Sequence, residues 1–168
     1  SESDNYYKFL LNQIPWQQDT IKMYGKEHPL PRKTAWYGNA GKSYTYSGIK
    51  MDPHDWNPEL LSIKNKIEET AKIQFNSALL NLYEDGNHNV AWHADDEKEL
   101  GDETTIASIS FGHTRDFQLK HKTDSEVERI TLPLEHGSLL LMLPPTQKYW
   151  LHQIPKRKKV LNPRINLT

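Results

Sequence analysis

Apolar residues recur along this chain in two rhythms. Between Asn57 and Phe75 they fall at Leu60, Ile63, Ile67, Ala71 and Phe75. That three- and four-residue spacing lays one stripe of a helix against a core. Asn57 is placed to cap this helix, and Pro58 suits a first turn that needs no amide hydrogen. A short helix is also expected at the start, with Asp4 as its cap and Pro15 closing it. Elsewhere the rhythm shortens. Residues 77–84, 105–112, 115–121, 127–132, 138–143, 149–154 and 163–168 are rich in Val, Ile, Leu, Thr and aromatics, with Gly, Pro and Asp between them, as strands are. A further strand is expected over 19–24. The stretch from Gly25 to Ser47 holds Pro29, Pro31, Gly38 and Gly41 and reads as loops and short strands. Early helices followed by many short strands predict an α+β protein with a sandwich or jelly-roll core.

Composition narrows the picture. A chain of 168 residues fits one domain. There is no cysteine, so disulfides and thiolate metal sites are excluded, and a reducing, intracellular setting is expected. No apolar run reaches membrane-spanning length, so no membrane partner is expected. The net charge of −1 does not announce a nucleic-acid binder. Local charge is more suggestive: Lys156, Arg157, Lys158 and Lys159 form a basic run, and Arg32-Lys33 and Lys120 with Lys122 form smaller ones. By itself such a run is ordinarily a solvated face.

Two segments carry candidate chemistry. In an extended backbone, the side chains of His93 and Asp95 point to the same side. With a second imidazole from His152, on a late strand, they would form a facial triad of two histidines and one carboxylate. Such a triad leaves three positions open on a ferrous ion. His-x-Asp alone is a weak signal among eight histidines. The second segment is Arg164-Ile165-Asn166-Leu167-Thr168. Strand alternation puts Arg164, Asn166 and Thr168 on one face, with Ile165 and Leu167 on the other. Arg164 offers a planar fork for a carboxylate. Asn81 and Tyr83 share a face of strand 77–84 and offer hydrogen bonds to the same kind of ligand. The alternative for each is an edge strand with solvated polar residues.

Taken in order, Asn81-x-Tyr83, His93-x-Asp95, His152 and Arg164-x-Asn166-x-Thr168 resemble the AlkB family of Fe(II)- and 2-oxoglutarate-dependent nucleic-acid dioxygenases. The likeness covers nearly the whole chain and is closest to the branch of animal homologues that repair DNA. Pro31-Arg32-Lys33, Tyr37-Gly38, Tyr44-Thr45-Tyr46-Ser47-Gly48, His93-Ala94-Asp95-Asp96-Glu97, Ile106-Ala107-Ser108-Ile109-Ser110-Phe111-Gly112, Arg115-Asp116-Phe117 and His136-Gly137-Ser138-Leu139 are all similar to that branch.

The resemblance implies a double-stranded β-helix (jelly-roll) core over about 77–168. Outer elements and a nucleotide-recognition lid would lie in about 1–55. It implies oxidative demethylation of alkylated bases such as 1-methyladenine and 3-methylcytosine, with release of formaldehyde and use of Fe(II), 2-oxoglutarate and O2. His93, Asp95 and His152 would hold iron. Arg164 would pair with the distal carboxylate of 2-oxoglutarate beside Asn81 and Tyr83, with Asn166 and Thr168 lining that pocket. The family motif continues with a second arginine two positions past Thr168, so a chain ending at Thr168 is expected to bind 2-oxoglutarate more weakly than one extended through it.

On the substrate side, Tyr46 would be the aromatic floor opposite His93 for a base flipped from its stack, with Tyr44 and Ser47 in the same motif. Asp96 would accept from an exocyclic amine, with Glu97 beside it. Tyr24 aligns with a gap-filling aromatic finger. Arg32, Lys33, Arg115, Lys120 and the basic run are expected phosphate contacts. The expected protein is a monomer, nuclear in a eukaryote and cytoplasmic in a bacterium. Three other readings stay open: an RNA demethylase of the same chemistry, a silent nucleic-acid binding module on this fold, and, more weakly, a hydrolytic zinc site.

Overall fold

Polar side chains that alternate with apolar ones along a strand need two different environments, and the fold supplies both. The computed structural model describes residues 1–46, 49–96, 100 and 103–168, with the backbone alone for 23, 44–46 and 49–51. Helix α1 spans Glu2–Gln13 and is followed by a hairpin of β1 (Thr20–Met23) and β2 (Lys26–Pro29). After β3 (Lys33–Gly38) comes a second small hairpin, β4 (Tyr44–Tyr46) and β5 (Ile49–Met51), then helix α2 (Pro58–Ala71). The remaining strands are β6 (Ser77–Tyr83), β7 (Val90–His93), β8 (Ile106–Gly112), β9 (Arg115–His121), β10 (Ile130–Leu134), β11 (Leu139–Met142), β12 (Trp150–Ile154) and β13 (Arg164–Leu167). A single-turn helix, α3 (Thr146–Tyr149), leads into β12.

These strands form two antiparallel sheets. The larger has the order β11-β8-β13-β6-β3 and the smaller β10-β9-β12-β7. One face of the larger sheet lies under the helices, where Leu80, Leu82, Phe111, Ile165 and Leu167 pack with Leu10 and Ile14 of the first helical region and Leu60 and Ile63 of α2. Its other face meets the smaller sheet across Tyr83, Ile106 and Met142 on one side and Phe117, Leu134 and Ile154 on the other. This is the two-layer arrangement expected of a jelly roll.

Strand β13 shows how the alternation is used. All four of its residues are buried. Ile165 and Leu167 enter the core beneath the helices, while Arg164 and Asn166 point between the sheets. It pairs with β6 and β8 on its two sides, so it is a central strand, and the edge-strand alternative is removed.

Local details adjust several expectations. Ser1, not Asp4, caps α1: its hydroxyl accepts from the Asp4 amide at 3.2 Å, and the Asp4 carboxylate reaches back to the Ser1 amine at 2.7 Å. Asp4 is therefore the third residue of a capping box. Asn57 caps α2 as expected, accepting from the Leu60 amide at 2.9 Å. The helix stops before Phe75, because Lys72 turns left-handed and the Phe75 amide donates to the Glu68 carboxylate. Strand β7 was not anticipated. It has four residues, one of them β-branched, and too little apolar patterning to stand out. Within residues 1–55, β3 belongs to the larger sheet and α1 packs against β8 and β13.

Candidate active site

The smaller sheet brings two imidazoles together, edge to face, with their planes inclined by 60°. His93 ends β7, and His152 lies directly opposite it in β12. Their ring centroids are 4.2 Å apart. Asp95 lies two residues beyond the end of β7. Its Oδ1 is 3.6 Å from His93 Nε2 and its Oδ2 is 3.4 Å from His152 Nε2. One potential ligand atom from each residue falls within 4.8 Å of the others. Two ligands at right angles on an ion with bonds of about 2.1 Å would be roughly 3 Å apart, so the triad is slightly open but close to closing on one ion.

The protonation states suit this role. His93 Nδ1 is 2.8 Å from the Ala91 carbonyl, so its ring proton belongs there and the Nε2 lone pair faces Asp95. Burial, reinforced by the neighbouring His152, lowers the His93 pKa and favours the neutral, ligating form. For Asp95, burial alone would raise the pKa, but the hydrogen bond and charge of His152, with His93, outweigh it and hold the carboxyl below its ordinary range. Among the described residues, His152 has no second anchor of the His93 kind: its Nδ1 is buried without a partner, and the ring stacks on Phe117 at 5.2 Å.

The larger sheet supplies the opposite wall. Arg164 is 1% exposed and donates through Nη2 to Ser110 Oγ at 2.9 Å, with its guanidinium over the Tyr83 ring at 5.1 Å. Among the described residues, its buried Nε and Nη1 have no hydrogen-bond partner. Burial lowers its pKa while Tyr83 opposes that shift. A buried fork with one prong and its stem unpaired is shaped for a carboxylate. Asn166 donates to Ser108 Oγ at 2.8 Å and to the Ile109 carbonyl at 3.0 Å, while its own oxygen accepts from Thr168 Oγ1 at 2.7 Å. One cavity touches both walls, lined among others by His93, Asp95, His152, Asn81, Tyr83 and Arg164.

Comparison with known proteins agrees with this geometry. The 2OG-Fe(II) oxygenase superfamily matches residues 1–168. The DNA oxidative demethylase ALKBH2 of Mus musculus is 42% identical over 178 residues, covering 100% of this chain and 74% of that protein. The alpha-ketoglutarate-dependent dioxygenase alkB homolog 3 of Bos taurus is 45% identical over 175 residues, covering 99% of this chain and 60% of that protein. The chain belongs to the AlkB family of 2OG-Fe(II) oxygenases. The solved structure of OsALKBH1 shares the fold, with a TM-score of 0.63 at 17% identity over 99% of this chain and 90% of that one.

As an AlkB-family dioxygenase the protein uses Fe(II), 2-oxoglutarate and O2. The residues present fit that set. A triad of two neutral-capable imidazoles and an ionised carboxylate suits ferrous iron, and the orphaned Arg164 nitrogens suit the far carboxylate of the co-substrate. The paired polar walls have no use in a hydrolytic zinc site.

The substrate side departs further from expectation. Arg115 is not a phosphate contact: it is 2% exposed, and its guanidinium donates to the carbonyls of Asp85, His88 and Pro155. It is a brace for three loops. Arg32 is likewise buried, and its Nε donates to Asn81 Oδ1 at 2.9 Å. It lines the AlkB cavity and not a solvent-facing rim. Lys33 pairs with Glu84 at 2.7 Å, Lys120 lies over the Trp92 ring at 4.6 Å, and Arg157 Nε donates to Asp116 at 2.9 Å. Lys156, Lys158 and Lys159 remain exposed. Their loop is pinned where Gly86 meets it: a Cβ on Gly86 would fall 1.7 Å from the Arg157 carbonyl. Asp96 is exposed and pairs with Lys122 at 3.0 Å. Ser47, Glu97 and the side chains of Tyr44 and Tyr46 lie outside the described residues. Sequence reasoning passed over Ser108, Ser110 and Gln147, common polar residues whose roles depend on strand pairing.

Asp95→Ala or His93→Ala is expected to abolish turnover and sharply weaken Fe(II) binding; near-normal activity of either variant at equal iron loading would contradict the triad. Arg164→Met is expected to weaken 2-oxoglutarate binding, titrated under argon with Fe(II), by roughly 10- to 100-fold, the worth of a charge-assisted pair of about 1.5–3 kcal/mol. The same substitution should not destabilise the ligand-free protein as a cavity mutation would, because it removes a buried, half-paired cation.

Proposed function

We propose that this chain repairs DNA by oxidative demethylation, removing methyl groups from ring nitrogens of bases such as 1-methyladenine and 3-methylcytosine. Support comes first from the relatives of about 40% identity whose names state that activity. The observation that carries the reading to the substrate is Asp96. It follows the ligand Asp95 directly, is exposed, and in the free protein holds the ammonium of Lys122. A base methylated at such a nitrogen carries a positive charge and an exocyclic amine, so it matches the partner Asp96 already favours.

Bound iron with 2-oxoglutarate and O2 would supply the oxidising power, one oxygen atom going to the methyl carbon and the other to succinate as CO2 is lost. The chain supplies position. Arg164 anchors the co-substrate carboxylate on one wall, and His93, Asp95 and His152 hold the metal on the other. The methyl carbon gains a hydroxyl, its bond to the ring nitrogen then breaks, and formaldehyde leaves with the repaired base. A base must leave its stack to reach such a buried centre, which is easiest where damage already weakens pairing.

Tyr24 is our choice for the residue that occupies the vacated stack. It forms the tip of the β1–β2 hairpin with Gly25, and both residues have positive φ, 51° and 76°. Consecutive positive φ values make a tight hairpin turn in which a bulky residue is strained. The Tyr24 side chain is fully exposed, so no packing offsets that strain. Lys156, Lys158 and Lys159 are the remaining candidates for phosphate contact. The two small hairpins in residues 1–55 serve as the recognition elements in this reading. The enzyme would act as a monomer, in the nucleus of a eukaryote or the cytoplasm of a bacterium.

The test is formaldehyde release from 1-methyladenine and 3-methylcytosine oligonucleotides, as single- and double-stranded DNA and as matched RNA. Release from DNA is expected. Release from RNA alone would make the chain an RNA demethylase, and none at all, with iron and co-substrate bound, would make it a binding module. Asp96→Ala should lower demethylation while leaving uncoupled 2-oxoglutarate decarboxylation largely intact; equal loss of both would place Asp96 in support of the iron site. Tyr24→Ala should reduce activity on duplex DNA more than on single strands, since only a duplex presents an opened stack. A uniform loss would point to folding.

A further inference from the structure

Asp95 raises a problem that the sheets do not solve. Strand β7 ends at His93, and the last pair it makes with β12 is His93 with His152. The carboxylate of the triad therefore hangs beyond the ladder. Its backbone N–H donates to Gln147 Oε1 at 2.9 Å. Gln147 sits on α3, the turn that leads directly into the strand bearing His152. Its other end is fixed too: Nε2 donates to the sulfur of Met142 at 3.4 Å, and Met142 is buried at the end of β11.

These contacts make one side chain a bridge between three segments. The sulfur accepts only from the amide nitrogen, so it sets which way the amide points and turns the oxygen toward Asp95. The oxygen then fixes the main chain of the residue whose carboxylate must meet both imidazoles. We propose that Gln147 is a positioning residue of the metal site, setting the place of Asp95 relative to His93 and His152. This rests on the reading of the triad as the iron site.

The experiment titrates the apoprotein with Co(II) alone and follows its visible absorption, which reports coordination as well as occupancy. Gln147→Leu keeps the volume and removes the acceptor. It should weaken Co(II) binding by roughly 10-fold or more, as loss of an outer hydrogen bond to a ligand does. It should also change the absorption spectrum while leaving the apoprotein melting temperature near wild type. Gln147→Glu keeps an oxygen for the Asp95 amide and should recover most of the affinity. Met142→Leu leaves Gln147 in place but frees its orientation, and should give a smaller loss in the same direction. This variant serves equally if Gln147→Leu does not fold. Wild-type affinity and spectrum in Gln147→Leu would overturn the proposal, as would equal losses in Gln147→Leu and Gln147→Glu, which would mean packing alone. His93→Ala separates the two levels: if it too leaves Co(II) binding unchanged, the triad reading itself has failed.

Discussion

Arg164 is a cation buried between two sheets with half its hydrogen-bonding capacity unused, and much of the surrounding structure answers to it. Removing an ion from water costs several kcal/mol even after relaxation. The Tyr83 ring and the Ser110 hydroxyl offset part of that. Because the guanidinium points inward, its neighbours on that face are polar as well: Ser108, Ser110 and Asn166 are all buried, Ser110 accepting from Arg164 and Asn166 donating to Ser108 and the Ile109 carbonyl. That polar strip cannot serve as core. The apolar mass is accordingly split, one cluster beneath the helices and a smaller one between the sheets around the site. A dicarboxylate co-substrate bound there would complete the arrangement by bringing to Arg164 the charge the fold withholds, and its binding would also stabilise the folded state.

The metal wall is organised by the opposite charge. Asp95 is the one carboxylate of the triad, and the imidazoles beside it keep it ionised. His93 is held neutral by burial and by His152. Both shifts lower the folded-state pKa, so both act in one direction. The unfolded chain binds these protons more readily, and the stability they contribute is present at neutral pH. It declines as pH falls below the ordinary imidazole range of about 6.5 and further below the carboxylate range of about 4. A metal ion competes for the same lone pairs, so it strengthens the neutral-pH form.

What could be read from the chain follows from how periodic each feature is. The alternation of Arg164, Ile165, Asn166 and Leu167 was legible because a strand buried on both faces must separate its polar and apolar residues. The helix from Pro58 was legible from its spacing and its cap. His93 and Asp95 were legible as a pair, yet for an incomplete reason: the strand ends at His93, and a side chain from a distant turn holds Asp95. Arg115 and Arg32 misled because an arginine in sequence looks like surface charge. Only the three-dimensional arrangement shows a guanidinium turned inward, bracing loops through their carbonyls in one case and meeting Asn81 in the other. Gln147 left no trace at all, since one polar residue in a short turn has no pattern to betray it.

The same contrast separates chemistry from recognition. His93, His152, Arg164 and Asn81 sit on paired strands, whose ladders hold their backbones in register. The groups offered to the substrate sit elsewhere. Asp96 stands past the end of a strand, tied to Lys122 by an exposed ion pair of the kind that contributes about 0–1 kcal/mol. Tyr24 stands at the tip of a two-stranded hairpin, a motif only marginally stable without further packing. A weak ion pair is easily exchanged for a cationic base, and a strained, uncovered tyrosine has little to lose by leaving water. In the proposed reading, rigid groups thus fix where oxidation occurs, while weakly held ones meet the base.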